Sequence, residues 1–348
     1  MEANLKPGTP DRTPHIDSVN PALAVPGGEI QVNGHHLSAP AFHRPVVRFG
    51  DAEGSLVAGS NHSIVTRVPE EAGSQVMVQT NGSSSNAWPV SIATLAADGL
   101  HPVASPAVDP SGNIYTTFSG SRGQKVPVSI FKIDGTQIAK PFVTDVMNPT
   151  GLAIDRTGLL YVSSRYDGAV YRISHAGGVS TYAEGMGVAT GIAFDGDGNL
   201  YVGDRTGTVF KISGDQQVFV FATLEPSVAA YHLAFGPDGH LFVSGPTTSS
   251  HEAIYRINPA GNVQTFFRGL GRPQGLAFDD AGNLYVAASL AGRRGIVRIT
   301  ADGKANLAVA GDQLVGLAFA PGGKMILATG GEIYTLTSGI TGLHLPPA

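Results

Sequence analysis

The sequence predicts an all-β chain: a small β-sandwich followed by a six-bladed β-propeller of four-stranded blades. Three observations carry that expectation. A short apolar strand, a turn ending in Gly (Asp-x-x-Gly in four copies) and a second strand of the type Gly-Asn-Leu-Tyr-Val recur together six times, as AVDPSGNIYT (107–116), AIDRTGLLYV (153–162), AFDGDGNLYV (193–202), AFGPDGHLFV (234–243), AFDDAGNLYV (277–286) and AFAPGGKMIL (318–327). Their turn glycines, Gly112, Gly158, Gly198, Gly239, Gly282 and Gly323, are 46, 40, 41, 43 and 41 residues apart, and a period of about 40 with several strands per unit marks propeller blades. Before the repeats begin, residues 14–93 alternate apolar and polar positions between turns, the pattern of short strands.

Taken in chain order, residues 1–13 are polar and contain Pro and Gly, so they are expected to be a flexible N-terminus. Residues 14–93 hold about seven short strands, among them HIDSVN, VVRFG, SIVTRVP and SQVMVQT, which read as a small β-sandwich. Ile16-Asp17-Ser18-Val19-Asn20-Pro21, the Pro26-Gly27-Gly28 turn, the Val47–Gly50 strand, Val68-Pro69 and Ser85-Asn86 resemble the IPT/TIG immunoglobulin-like family. That resemblance covers nearly the whole segment and implies an Ig-like module used for protein contacts, carbohydrate proximity or spacing.

The repeats of residues 94–348 resemble the NHL and SMP-30/gluconolactonase group of six-bladed propellers. In the second repeat Gly151–Ile154 is the expected inner strand, followed by Leu159–Ser163, Ala169–Ile173 and the outer Val179–Ala183. Third strands carry Lys132, Arg172, Lys211, Arg256 and Arg298, read as long stems covering apolar surface with their charges in water. Residues 90–96 are expected to complete the last blade beside Glu332–Leu336 and so close the ring, in competition with the tail ITGLHLPPA. Between the domains there is only TLAADGLHPV, without a Gly/Ser- or Pro-rich linker.

Composition narrows the function classes. The net charge of −5 argues against a nucleic-acid partner. No apolar run approaches the ~18 residues of a membrane helix, so no membrane partner is expected. Cysteine is absent, which excludes disulfides, thiolate metal sites and Cys nucleophiles. The start MEANLKPGTPDRTP lacks an apolar leader core, so cytoplasmic residence is expected, although an exported protein that has lost its leader has the same appearance.

In SMP-30-type lactonases a Glu, Asn or Asp before the glycine that opens each inner strand helps to hold a divalent cation. The matching residues here are Ala104, Thr150, Thr190, Tyr231, Gln274 and Val315, none of them a carboxylate. A hard cation needs six or more oxygens with anionic charge among them. The metal site and any cofactor are therefore expected to be missing. Motifs GxSxG, HExxH, GxGxxG and the P-loop are absent as well. Asp195-Gly196-Asp197-Gly198-Asn199 resembles the start of a calcium loop, but no Glu follows at the twelfth position, and a hairpin turn closed by its own Asp is the expectation.

In the resembled family the active site lies on the face formed by second-to-third-strand loops, and the long segments 116–127 and 244–252 fall there. The candidate ligand-binding residues are Thr150, Arg165, Thr190, Asp204, Tyr231, His232, Arg272, Gln274 and Arg293. Arg268, Arg272, Arg293 and Arg294 form the strongest local charge, suited to carboxylate, sulfate or phosphate, or else a solvated rim partly neutralised by Glu252 and Asp312. The expected function is a propeller-based binding or scaffold protein for a small polar or anionic molecule or a protein partner. The alternative is a metal-independent hydrolase or lyase of the SMP-30/gluconolactonase-like group, with Tyr231 or His232 as acid/base.

Overall fold

Alternation along each strand decides what is buried: in Glu29–His35, EIQVNGH, the side chains of Ile30 and Val32 are fully buried while their neighbours are half-exposed. The computed structural model describes residues 13–38, 44–80, 82–247 and 252–343. The expectations for residues 1–12 and for 248–251 of the 244–252 loop lie outside them. All elements among the described residues are strands, and the chain divides into two units, Met1–Ile92 and Ala93–Ala348.

The first unit contains β1 (His15–Asn20), β2 (Leu23–Ala24), β3 (Glu29–His35), β4 (Val46–Phe49), β5 (Ala52–Gly59), β6 (Ser63–Arg67), β7 (Gln75–Thr80), β8 (Ser83–Ser84), β9 (Trp88–Pro89) and β10 (Ser91–Ile92). Eight of these make one continuous hydrogen-bonded path, β1-β3-β6-β5-β4-β7-β8 with β9 on β7, where two separate sheets of an Ig-like sandwich were expected. The reason is β5, which pairs with β4 through Ala52–Gly54 and with β6 through Ser55–Gly59. Gly54 stands at the change of partner, where a Cβ would lie 2.7 Å from both the Phe49 ring and the Thr66 hydroxyl. Asn86 ties the first strand to the far end of the path, accepting from Ile16 N at 2.8 Å and donating to Ile16 O at 3.1 Å.

The second unit is propeller-like. Five separate four-stranded antiparallel sheets carry five of the six sequence repeats, for example Pro149–Ile154, Leu160–Ser164, Ala169–Ile173 and Val179–Ala183 for the second. Six separate sheets were expected. The 277–286 repeat is instead carried by Leu276–Phe278, Leu284–Leu290, Arg293–Ile299 and Ala305–Ala310 within a larger, seven-stranded sheet.

β11 (Thr94–Ala97) pairs antiparallel with Ile333–Thr337, so an N-terminal strand completes the last repeat, a few residues later than the 90–96 expected. The tail takes another place: Leu343 N donates to Phe278 O at 2.9 Å, and Gly342 bridges Asp279.

Each Asp-x-x-Gly turn is closed by its own carboxylate. Asp195 accepts from the backbone of Asp197 and Asn199, both at 2.9 Å, and from the Asn199 side chain at 2.8 Å. The third residue's successor, Gly198, sits at φ 86°, where a side chain is strained. The second-strand aromatics pack edge-to-face between repeats, Tyr161 on Phe194 and Tyr201 on Phe235 with centroids 4.9 Å apart in both. Register places the third-strand cations opposite these rings: Lys132 faces Tyr115 and Lys211 faces Tyr201, each ammonium 5.6 Å from the ring centroid.

Candidate functional site

The inner strands approach one another at the repeat position occupied by Ser105, Gly151, Gly191, His232, Gly275 and Gly316. A Cβ on Gly151 would lie 3.0 Å from Gly191 Cα, one on Gly191 2.9 Å from His232 Cα, and one on Gly275 2.6 Å from Gly316 Cα. Backbone meets backbone here, with Gly191 N donating to Tyr231 O at 2.9 Å and Gly275 N to Val315 O at 3.1 Å. Glycine is needed because the neighbouring strand leaves no room for a side chain.

Past this level a central cavity of about 820 Å³ runs to the Asp-x-x-Gly turns. Its walls are largely apolar, with Leu152, Ile192, Leu233, Leu276 and Leu317 at one repeat position and Ala153, Ala193, Ala234, Ala277 and Ala318 at the next. Of the nine candidate residues, only His232 lines it. The imidazole is 5% exposed, and neither ring nitrogen has a hydrogen-bond partner among the described residues. Burial pushes its pKa down to about 4, so it is neutral at physiological pH.

The other candidates are distributed differently. Thr190 is buried, donating to Gly203 O at 2.8 Å and accepting from Tyr231 N at 3.1 Å. Thr150 is also buried, its hydroxyl on Asn148 O at 3.3 Å. Tyr231 is 1% exposed, packed with Leu233, Val243 and Tyr201 and donating its hydroxyl to the Glu225 carbonyl. Burial first, then nearby Tyr255 and carboxylates, hold its pKa far above the ordinary phenol range. Asp204 spends its carboxylate on Val188 N at 2.9 Å and on the backbone and hydroxyl of Thr206. Arg165 and Asp204, from neighbouring repeats, do not form an ion pair with each other.

Arg165 donates instead to Gly120 O at 2.8 Å. Its pKa is lowered by burial and then by the charges of Arg205 and Arg122, so three guanidinium groups from consecutive repeats share one region. Arg205 donates to Ser227 O at 3.2 Å. None of the three has a carboxylate within ion-pair distance among the described residues.

Asn148 organises this region: it accepts from Gly123 N at 2.7 Å and donates to Gly120 O and Ser121 O at 3.0 and 2.9 Å. Arg122 and Asn148 were missed by sequence reasoning. The only signal was that Arg122 lies in the long 116–127 segment.

The arginines of the fifth repeat lie beside two acidic residues. Arg294 pairs with Asp312 at 2.7 Å, and the backbone N–H of Arg272 donates to the Glu252 carboxylate. Arg272 is exposed, Arg293 and Gln274 are half-buried, and the Gln274 carbonyl accepts from Ser244 Oγ at 2.5 Å.

The lactonase cation does not fit the residues present. The two threonine hydroxyls are occupied by backbone groups, the tyrosine is turned away, and no group of three or more His, Cys, Asp or Glu among the described residues has metal-site geometry.

No family model and no curated protein matches the chain. Solved structures do. A gluconolactonase from Xanthomonas campestris aligns with a TM-score of 0.57 at 16% identity, over 71% of this chain and 89% of its own. Virginiamycin B lyase from Staphylococcus aureus aligns at 0.52 and 16% identity, over 70% of this chain and 97% of its own. An auxiliary nutrient binding protein from Bacteroides thetaiotaomicron aligns at 0.54 and 12% identity, over 94% of this chain and 98% of its own. At such identities the likeness is one of fold, and the fold is that of the gluconolactonase-like propellers.

Proposed function

We propose that this chain is a propeller-based binding or scaffold protein that recognises a polar or anionic ligand, a small molecule or an acidic segment of a protein, on the loop face of its second unit and without a metal. The observation that carries the reading is the group of Arg122, Arg165 and Arg205, gathered without a carboxylate partner among the described residues. Like charges held together in the free protein are relieved when an anion arrives, and each charged hydrogen bond formed adds about 1.5–3 kcal/mol. Thr150, Thr190, Asp204, Tyr231 and Gln274 serve that face as its framework, while Arg272 and Arg293 form a second, weaker basic sector. The first unit is read as an IPT/TIG-like spacer or second contact surface.

The lactonase and lyase likenesses keep a metal-independent hydrolase or lyase as the second reading. The states of its two nominated acid/base groups weigh against it, since His232 titrates near pH 4 and the Tyr231 phenol is held protonated.

Calorimetry with citrate as a polyanionic probe tests the first reading. Arg122→Ala/Arg205→Ala, both exposed in the free protein, should weaken citrate binding by about 1.5–3 kcal/mol per charged hydrogen bond lost, and added salt should weaken it further. Arg272→Ala/Arg293→Ala should have the smaller effect. Equal affinity in wild type and the Arg122/Arg205 variant would overturn the assignment.

A further inference from the structure

We infer that the central cavity of the second unit is a separate binding site, for a neutral and mainly apolar small molecule whose single hydroxyl pairs with His232. It lies past the glycine constriction from the arginine group, so it does not depend on the anion reading.

The geometry is that of a built pocket. Ligand pockets are typically ~300–1,000 Å³, apolar, with a few placed polar groups, and this one has about 820 Å³ with an aliphatic and aromatic lining. Alanine at one position of five successive inner strands leaves the space open. Ala153, Ala193, Ala234, Ala277 and Ala318 are all half-exposed although they belong to the innermost strands, because the space they face is not filled by protein.

His232 is the one departure from Gly or Ser at the constriction, and it puts an imidazole at the narrow end. A buried polar side chain without a partner is costly and needs accounting for. The neutral ring has one N–H donor and one acceptor nitrogen pointing in different directions, and a hydroxyl, which can donate or accept, pairs with whichever of them faces the cavity.

Charge on the ligand is disfavoured. The carboxylates at the wide end, Asp109 and Asp155, are occupied by their own turns, as in Asp109 with Ser111 N and Asn113 N at 3.0 and 2.9 Å and Asp155 with Thr157 N and Leu159 N at 2.8 and 3.0 Å. They still set a negative potential that repels anions, against the single guanidinium of Arg156 on the same rim. A charged group drawn to the narrow end would meet only an uncharged imidazole and hydrocarbon.

The test compares n-octanol, n-octane and octanoate as probes of the whole chain, by calorimetry and by chemical shifts of labelled cavity residues. Octanol should bind saturably, with its largest shifts at Ala193, His232 and Ala277, and at least tenfold more tightly than octane or octanoate. His232→Phe should remove the preference for octanol over octane. Ala193→Leu and Ala277→Leu, each checked for native melting without ligand, should weaken octanol tenfold or more by filling the space. Failure of octanol to bind saturably to the wild-type chain would overturn the site, and octanoate binding as tightly as octanol would overturn its neutral character. Citrate binding should be unchanged in all three variants, which separates this site from the arginine face.

Discussion

Gly191→Ala is the sharpest test of how the propeller is held together at its narrow level. Its Cβ would come 2.9 Å from His232 Cα and 3.0 Å from the Tyr231 carbonyl carbon, and nearer still to the Tyr231 oxygen. All three are backbone atoms of the next repeat, so no side chain can rotate away. That strand is itself anchored, through Tyr231 N on Thr190 Oγ1 at 3.1 Å and the Tyr231 hydroxyl on Glu225. Separating the two strands also weakens the Gly191 N to Tyr231 O bond of 2.9 Å. Overpacking costs about 1–3 kcal/mol and a weakened hydrogen bond about 1 kcal/mol, giving a loss of about 2–4 kcal/mol. For a unit of this size each kcal/mol moves Tm by about 2–4 °C, so the midpoint should fall by roughly 5–15 °C. The control is Gly214→Ala, where the added Cβ meets nothing within 4 Å and a smaller unfolded-state entropy stabilises by about 0.4–1 kcal/mol. Thermal and urea unfolding of both variants give the answer. Equal stabilities to within ~0.5 kcal/mol would refute the claim that backbone contact sets the constriction.

Two further perturbations bear on the site. Because the folded-state pKa of His232 is depressed to about 4 from 6.5, the unfolded chain takes up the proton first. Stability should therefore be complete above pH ~6.5 and fall as pH drops toward ~4, by on the order of 3 kcal/mol in all, and melting of His232→Gln between pH 4 and 7 should show that slope flattened. Asn148→Leu removes three hydrogen bonds from a fully buried side chain at φ 43°. It should cost about 3 kcal/mol or more, and limited proteolysis should find new cleavage within 118–129.

What the sequence made legible was whatever is decided locally. The Asp-x-x-Gly turn declares itself because Asp closes it with its own carboxylate and Gly takes the positive φ, so the repeats could be placed, and the N-terminal strand of the last one to within a few residues. The calcium-loop likeness of Asp195–Asn199 is discounted by the missing Glu at the twelfth position, and the Asp195 carboxylate is spent on the turn. Features that depend on a third element were not legible. Whether β5 pairs on one side or both depends on the close packing at Gly54. Tyr231 was a ligand-binding candidate from its position before the inner strand, but the glycines at Gly203 and Gly245 admit its ring between repeats. The arginines of the fifth repeat were conspicuous in sequence because four lie close in number. Arg122, Arg165 and Arg205 are far apart in sequence, and only the ring geometry brings them together.

In a repeat protein the repeated residues are spent on the repeat. Here the glycines serve strand contact, the leucines and aromatics serve packing between blades, and the Asp that opens four of the six turns serves its own turn, which leaves none of them with a free lone pair or charge to offer a ligand. Binding chemistry has to come from positions where one copy departs from the others. His232 replaces a glycine in a single copy, Arg122 occupies a loop that the other copies shorten, and Arg165 and Arg205 precede the third strand in only the second and third copies. These departures fall at two levels, the arginines on the loop face and the imidazole at the narrow end of the cavity. The glycine constriction lies between the two, so substitutions on one side should leave binding on the other unchanged, as additivity requires of sites that share no partner.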